Sequence, residues 1–160
     1  QDGWFHTGDI GKFEDGYLKI TDRLKNMLKT SLGKNIFPTP IENTYLKSDR
    51  IEQVFLVGDK REYVTGIIVP NKDELIKEFG LNEAFFTEQD PFIQDDKILS
   101  WMEAELKKFG ASLAKFEQTR NFLLKRNPFS IEEGEMTSTQ KIKRKVVLAK
   151  YAIEIEKMYS

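Results

Sequence analysis

The alternation of apolar and polar positions divides this chain into short strands and helices. Residues 3–13 (GWFHTGDIGKF) and 17–21 (YLKIT) read as two strands. Asp15-Gly16 between them is a tight-turn pair, because glycine reaches positive φ at no steric cost. Beyond Asp22-Arg23 the pattern breaks into short pieces, and Gly33 marks a further turn in TSLGKNIFP. Thr39, Pro40 and Glu42 predict a helix start as N-cap, first helical residue and capping-box partner, with Ile41 and Tyr45 sharing a face. IEQVFLVGD and TGIIVPN are β-branched and aromatic runs bounded by turn residues, which predicts two strands. In NKDELIKEFG, Asn71 is the expected cap, Glu74 stands behind it and Gly80 is the stop. From Phe92 to Phe116, the positions of Leu99, Met102, Leu106, Phe109, Leu113 and Phe116 predict one long helix that Gly110 loosens. NFLLKR predicts a last strand and EEGEMTST a polar loop. A final helix is expected from about Ile142, with Val147, Tyr151, Ile155 and Met158 on one face. The expected fold class is α+β: a small mixed domain of short strands and hairpins packed with about four helices.

Composition narrows the function classes. A chain of 160 residues with 39% hydrophobic and 32% charged residues fits one domain with a core and excludes a disordered segment. The apolar runs reach about four residues, against the roughly 20 that span a bilayer. With no cysteine, disulfides and thiolate metal sites are excluded, and a reducing compartment fits. The single histidine, His6, excludes a multi-histidine metal site and is expected as a half-buried imidazole on the first strand. A net charge of −1 excludes bulk attraction to nucleic acid. Yet residues 141, 143, 144, 145 and 150 are basic, with no acid between them. A small module that sets KIKRKVVLAK against RNA phosphates or an anionic membrane is therefore the alternative reading. Against it stand the lack of an aromatic stacking signature and of any second basic patch.

Four stretches change the picture: GWFHTGD, DGYLKITDRLKN, GKNIFPTPIE and TSTQKIKRK. Their order and spacing resemble the C-terminal part of the adenylate-forming enzymes, the superfamily of acyl-CoA synthetases, luciferases and peptide-synthetase adenylation domains. The resemblance covers nearly the whole chain. GKNIFPTPIE, KIKRK and the added helical stretch at about 71–121 look most like the long-chain fatty acid:CoA ligases. What the resemblance implies is a fragment: residues 1–21 would end a large N-terminal adenylation domain, 22–25 would be a hinge, and 26–160 a mobile C-terminal domain. The Ser/Thr/Gly-rich phosphate loop of the family is not in this sequence and would lie upstream. ATP, CoA, Mg²⁺ and a fatty acid are implied for the full-length enzyme, with none held tightly by this chain alone. The chain's own N-terminal domain is the implied partner, and no nucleic acid is expected. The implied location is cytoplasmic, open to peripheral membrane association.

The same resemblance carries roles onto individual residues. Asp9 would accept hydrogen bonds from both ribose hydroxyls of ATP or AMP, and Arg23 would meet the same ribose. The plainer readings are a turn-forming aspartate and a surface arginine paired with Asp22. Lys25, with Asp22 second, would be the pivot between the adenylating and thioester-forming conformations. Lys29 and Gly33 would reach the CoA path only in the second conformation; a plain surface lysine is the other reading of Lys29. Lys141 would bridge the substrate carboxylate and the α-phosphate, with Ile142 anchoring the helix behind it. Lys143, Arg144 and Lys145 are the alternatives for that role, Lys145 the weaker because it lies a full turn into the helix, and the plainer reading of the run is a solvated basic helix start. No metal ligand is expected. One departure stands out: Thr139-Gln140-Lys141 replaces the Ser-Gly-Lys of many members, so the loop lacks the flexibility of glycine. The apolar stripe at 99–116 reads as core, because in this family the large domain binds the acyl chain.

Overall fold

In the computed structural model, which describes residues 3–160, the chain opens with an antiparallel hairpin of β1 (Asp9–Glu14) and β2 (Tyr17–Arg23). Asp15 and Gly16 turn it at φ 51° and 82°, both in the left-handed region that a two-residue hairpin of this twist requires. A bulge between Ile10 and Gly11 shifts the register at its open end. The strand expected over residues 3–8 does not form. Apart from the Gly8 carbonyl, which accepts the Leu24 N–H at 2.8 Å, no strand among the described residues pairs with it; Gly3 and Gly8 take positive φ, and Trp4 and Phe5 are each 87% exposed. His6 is accordingly exposed rather than half-buried.

A 3₁₀ turn (Leu24–Asn26) leads into the small hairpin of β3 (Leu28–Lys29) and β4 (Asn35–Ile36), turned at Gly33. Then follow α1 (Pro38–Tyr45), β5 (Ile51–Val57), β6 (Thr65–Pro70), α2 (Lys72–Phe79), α3 (Glu83–Phe86), α4 (Asp96–Gly110), β7 (Asn121–Leu124), α5 (Arg144–Lys150) and α6 (Ala152–Lys157). The central sheet has the order β5-β6-β7, with β6 antiparallel to β5 and parallel to β7. Helices cover both of its faces, which is why β5 and β6 read as near-continuous apolar runs. Alternate residues divide between two cores. Val54, Leu56, Ile68 and Leu124 join Ile41, Tyr45, Leu75, Met102 and Leu106 on the side of α1, α2 and α4. Phe55, Val57, Ile67 and Val69 join Val147, Tyr151, Ile155 and Met158 on the side of α5 and α6. Each such side chain, fully buried, stabilises the fold by about 1.5–3 kcal/mol.

Several expected boundaries moved. The long helix stops at Gly110 instead of running to Phe116, because Gly110 is where α4 meets α1: a Cβ there would stand 3.0 Å from the Tyr45 hydroxyl. That hydroxyl in turn accepts the Thr119 N–H at 3.1 Å. At its other end α4 starts only at Asp96, capped by Asp95. The described residues hold six α-helices rather than about four. α3 is a single turn capped by Asn82, and the final helix is interrupted at Tyr151. The final helix also begins at Arg144, not Ile142, because Ile142 is held extended in a bridge to Met136. Its expected apolar face (Val147, Tyr151, Ile155, Met158) is nevertheless buried throughout. α2 follows expectation, with the Asn71 side chain accepting the Asp73 and Glu74 N–H groups and Gly80 closing it at φ 64°. No helix among the described residues is long and apolar enough to cross a membrane.

Candidate functional site

The open end of the β1–β2 hairpin carries the first candidate pair. Asp9 and Arg23 are cross-strand partners, and Arg23 Nε lies 3.3 Å from Asp9 Oδ1. The Arg23 side chain is 60% exposed, so the ion pair is weak and readily exchanged for a ligand. Arg23 thus pairs with Asp9, not with Asp22. Asp22 is buried and its carboxylate is fully engaged. Oδ1 accepts the Arg23 N–H at 2.7 Å and the Asn26 amide at 3.3 Å, while Oδ2 accepts the Thr39 N–H at 3.1 Å.

This last bond overturns the expected capping box. α1 starts at Pro38, with Phe37 at the N-cap and no capping side chain of its own. Pro38 and Pro40 have no N–H, so Thr39 is the only donor in the first three helical positions. Asp22 supplies the missing cap from the neighbouring segment, and the carboxylate ties the hairpin to the domain body. Lys25, by contrast, is exposed in the 3₁₀ turn just beyond.

Lys141 stands at the end of a closed turn. The Thr137 N–H donates to the Lys141 carbonyl at 2.8 Å, the Lys141 N–H donates to Thr137 Oγ1 at 3.1 Å, and the Gln140 N–H donates to the Thr137 carbonyl at 2.9 Å. Gln140 has φ 58°, so the turn takes a left-handed conformation natural to glycine without having one there. For a residue with a Cβ that geometry costs about 1–2 kcal/mol. Below the turn, the Lys143 N–H donates to the carbonyl of Glu135 at 2.8 Å. The Glu135 side chain is fully buried, accepting the Tyr151 hydroxyl at 2.5 Å and Lys150 at 3.0 Å, with Lys125 at 3.6 Å. Burial, with Glu135 second, raises the Tyr151 hydroxyl well above its ordinary value. Burial likewise lowers the Lys125 ammonium, against the pull of Glu135.

Hairpin end, 3₁₀ turn and terminal turn together line a cleft of about 740 Å³, with Asp9, Asp22, Arg23, Lys25 and Lys141 among the lining residues. Five of the residues singled out from sequence therefore share one site. Lys29 and Gly33 do not; they lie on the β3–β4 hairpin. There the Lys29 N–H donates to Asp59 at 3.1 Å and the Lys29 carbonyl accepts the Lys60 N–H at 2.7 Å. Among the described residues no cluster of three or more His, Asp or Glu could hold a metal ion.

Two lining residues were misread from sequence. Glu42, expected in a capping box, instead accepts the Leu56 N–H at 3.1 Å and stands 3.7 Å from Arg144. Burial pushes its carboxyl above the ordinary value, against the lowering influence of Leu56 and Arg144. Arg144 is not part of a solvated helix start. Its guanidinium donates to the Leu56 carbonyl, lies 4.4 Å from the Phe55 ring, and is lowered in pKa chiefly by burial. Helical phase carried the signal: Arg144, Val147 and Tyr151 are spaced i, i+3, i+7, which puts the arginine on the buried stripe. The basic run is thereby divided. Arg144 turns inward and Lys150 pairs with Glu133 and Glu135, while Lys141, Lys143 and Lys145 stay exposed.

The chain is similar to known proteins along nearly its whole length. Long-chain-fatty-acid–CoA ligase 5 of Rattus norvegicus is 38% identical over 167 residues, covering 99% of this chain and 24% of its own length. Long chain acyl-CoA synthetase 2 of Arabidopsis thaliana is 35% identical over 163 residues, with the same coverage of 99% and 24%. The A domain of carboxylic acid reductase from Segniliparus rugosus, solved in complex with AMP and a co-purified carboxylic acid, matches with a TM-score of 0.79. Its identity is 26%, over 99% of this chain and 24% of that one. The chain thus spans about a quarter of the length of these relatives. The model of the AMP-binding enzyme C-terminal domain matches residues 25–160, and the chain belongs to that family.

Proposed function

We propose that this chain is the mobile C-terminal domain of a long-chain fatty acid:CoA ligase, together with the end of the larger domain that precedes it. One observation carries the reading: Asp9, Arg23 and Lys141, far apart in sequence, line one cleft. A carboxylate and an arginine suit the ribose of a nucleotide, and an ammonium suits its phosphate. In the first half-reaction a carboxylate oxygen of the fatty acid attacks the α-phosphorus of ATP and the bond to pyrophosphate breaks. Negative charge gathers on the α-phosphate, where the Lys141 ammonium is a donor on an exposed turn. In the second, the CoA thiolate attacks the acyl carbonyl and the bond to AMP breaks. Lys141 is then no longer needed, and Lys29 and Gly33, lying away from the cleft, are the residues of this chain assigned to the pantetheine path.

Rotation between the two states turns on Lys25. It is exposed on a single 3₁₀ turn, whereas Asp22 is fixed by its three hydrogen bonds. Mg²⁺ enters with the phosphates of ATP as part of the substrate. The preceding domain supplies the phosphate loop and the acyl pocket and covers the apolar hairpin. The test is product analysis on the intact enzyme with palmitate, ATP and CoA. Acyl-CoA, AMP and pyrophosphate are expected, with acyl-AMP accumulating when CoA is withheld. Release of ADP and phosphate, or no thioester, would overturn the assignment.

A further inference from the structure

We propose that Arg144 is the positioning residue of Lys141: held by Glu42, it fastens the root of the terminal turn to the edge of β5 and so sets where the Lys141 ammonium stands. The inference rests on the role of Lys141 proposed above. β5 is an edge strand, and an edge leaves main-chain donors and acceptors without partners in the sheet. At Leu56 both are taken by one side-chain pair, the N–H by Glu42 and the carbonyl by Arg144. The two side chains are 3.7 Å apart, and the guanidinium also lies over Phe55. Three elements meet here: α1 through Glu42, β5 through Leu56, and α5 through its first residue, Arg144.

Only Ile142 and Lys143 separate this junction from Lys141. Ile142 is half-buried against the second core, and Lys143 is held through its N–H by the Glu135 carbonyl. The path from sheet edge to ammonium is therefore short and anchored at each residue, while the tip itself stays exposed. Lysine could not replace the arginine, because a point charge cannot donate to the carbonyl, pair with the carboxylate and lie flat on a ring together. The plainer reading is a strut that stabilises the fold and nothing more. It differs in a measurable way: a strut moves both half-reactions with stability, whereas a positioning residue moves the one that uses Lys141.

The experiment has two arms. In the intact enzyme, single-turnover adenylation and thioester formation from supplied acyl-AMP are measured for R144A, R144K and E42Q. R144A is expected to slow adenylation by about 10²-fold, the scale of a misplacement near 1 Å, and to leave thioester formation within about 3-fold. R144K should recover only part of the loss. E42Q, which keeps an acceptor for the Leu56 N–H, should be milder, and its loss should not add to that of R144A. In the 160-residue chain, amide exchange at Gln140 and Lys141 should accelerate in R144A while Val147 and Tyr151 stay protected. Equal losses in both half-reactions, or exchange unchanged at Gln140 and Lys141, overturns the proposal. If R144A does not fold, R144K decides by the same criteria. Should K141A itself leave adenylation intact, the proposed role of Lys141 fails, and the exchange arm, which needs no activity, still decides whether Arg144 sets the turn.

Discussion

The β1–β2 hairpin and the central sheet are both built from alternating strands, yet they are stabilised in opposite ways. In the hairpin Phe13 and Tyr17 are 79% exposed, and Leu18 and Ile20 are more than half exposed. In the sheet Leu56, Ile67 and Ile68 are completely buried, with helices on either side. The hairpin owes its register to one turn and its own ladder, a combination that is marginal at best for two strands alone. The sheet owes its register to two cores that would both be exposed by a one-residue slip. Between them stands Asp22, a buried carboxylate that ties the hairpin to α1 on the body. Under the proposed function the preceding domain covers the apolar faces that the hairpin leaves open.

The sharpest way to break the comparison is inside the body. Glu135→Ala removes the carboxylate shared by Tyr151, Lys150 and Lys125, leaving the latter ammonium buried without its counter-charge. It should cost about 3–5 kcal/mol, and thermal unfolding of the 160-residue chain should show it as a single shift of the whole body. A loss near zero would mean that the body is not held as one unit around this cluster.

Asp22→Ala comes next, at about 1–3 kcal/mol for three hydrogen bonds to a buried acceptor. The change should loosen both regions at once, so amide exchange should rise at Arg23 and at Thr39 together. Acceleration confined to the hairpin would show that α1 does not depend on this cap. The smallest effect belongs to the hairpin. Gly16→Ala meets no atom within 4 Å but must keep φ near 82°, at a cost of about 1–2 kcal/mol. Exchange across residues 9–23 should quicken while the melting temperature of the body stays where it was. A falling melting temperature would join the two regions more tightly than their packing suggests.

These differences explain what could be read from the residues alone. The Asp15-Gly16 turn, both long strands of the sheet, the capped α2 and the buried face of the last helices were legible because each rests on local geometry or on a repeat of apolar positions. The candidate cleft was legible as a set of residues, since Asp9, Asp22, Arg23, Lys25 and Lys141 line it together. Its floor was not. Glu42 sits where a capping box was expected, and only the arrival of Asp22 at Thr39 releases it to pair with β5 and Arg144. The end of α4 was equally hidden, because it depends on Tyr45 touching Gly110 across 65 positions of sequence. The run at residues 3–8 failed for the complementary reason: its strand-like pattern has no partner strand among the described residues.

The central claim is that the cleft between hairpin and terminal turn serves one half-reaction and that Lys141 is its charge. The most direct measurement is single-turnover kinetics of the intact enzyme carrying Lys141→Ala, with each half-reaction followed separately. Removing a donor to developing charge should slow acyl-adenylate formation by about 10²–10³-fold or more. Thioester formation from supplied acyl-AMP should continue at close to its original rate, and the melting temperature of the 160-residue chain should hardly move, because the side chain is exposed. Equal slowing of both half-reactions, or a larger loss from Lys143→Ala than from Lys141→Ala, would contradict the account.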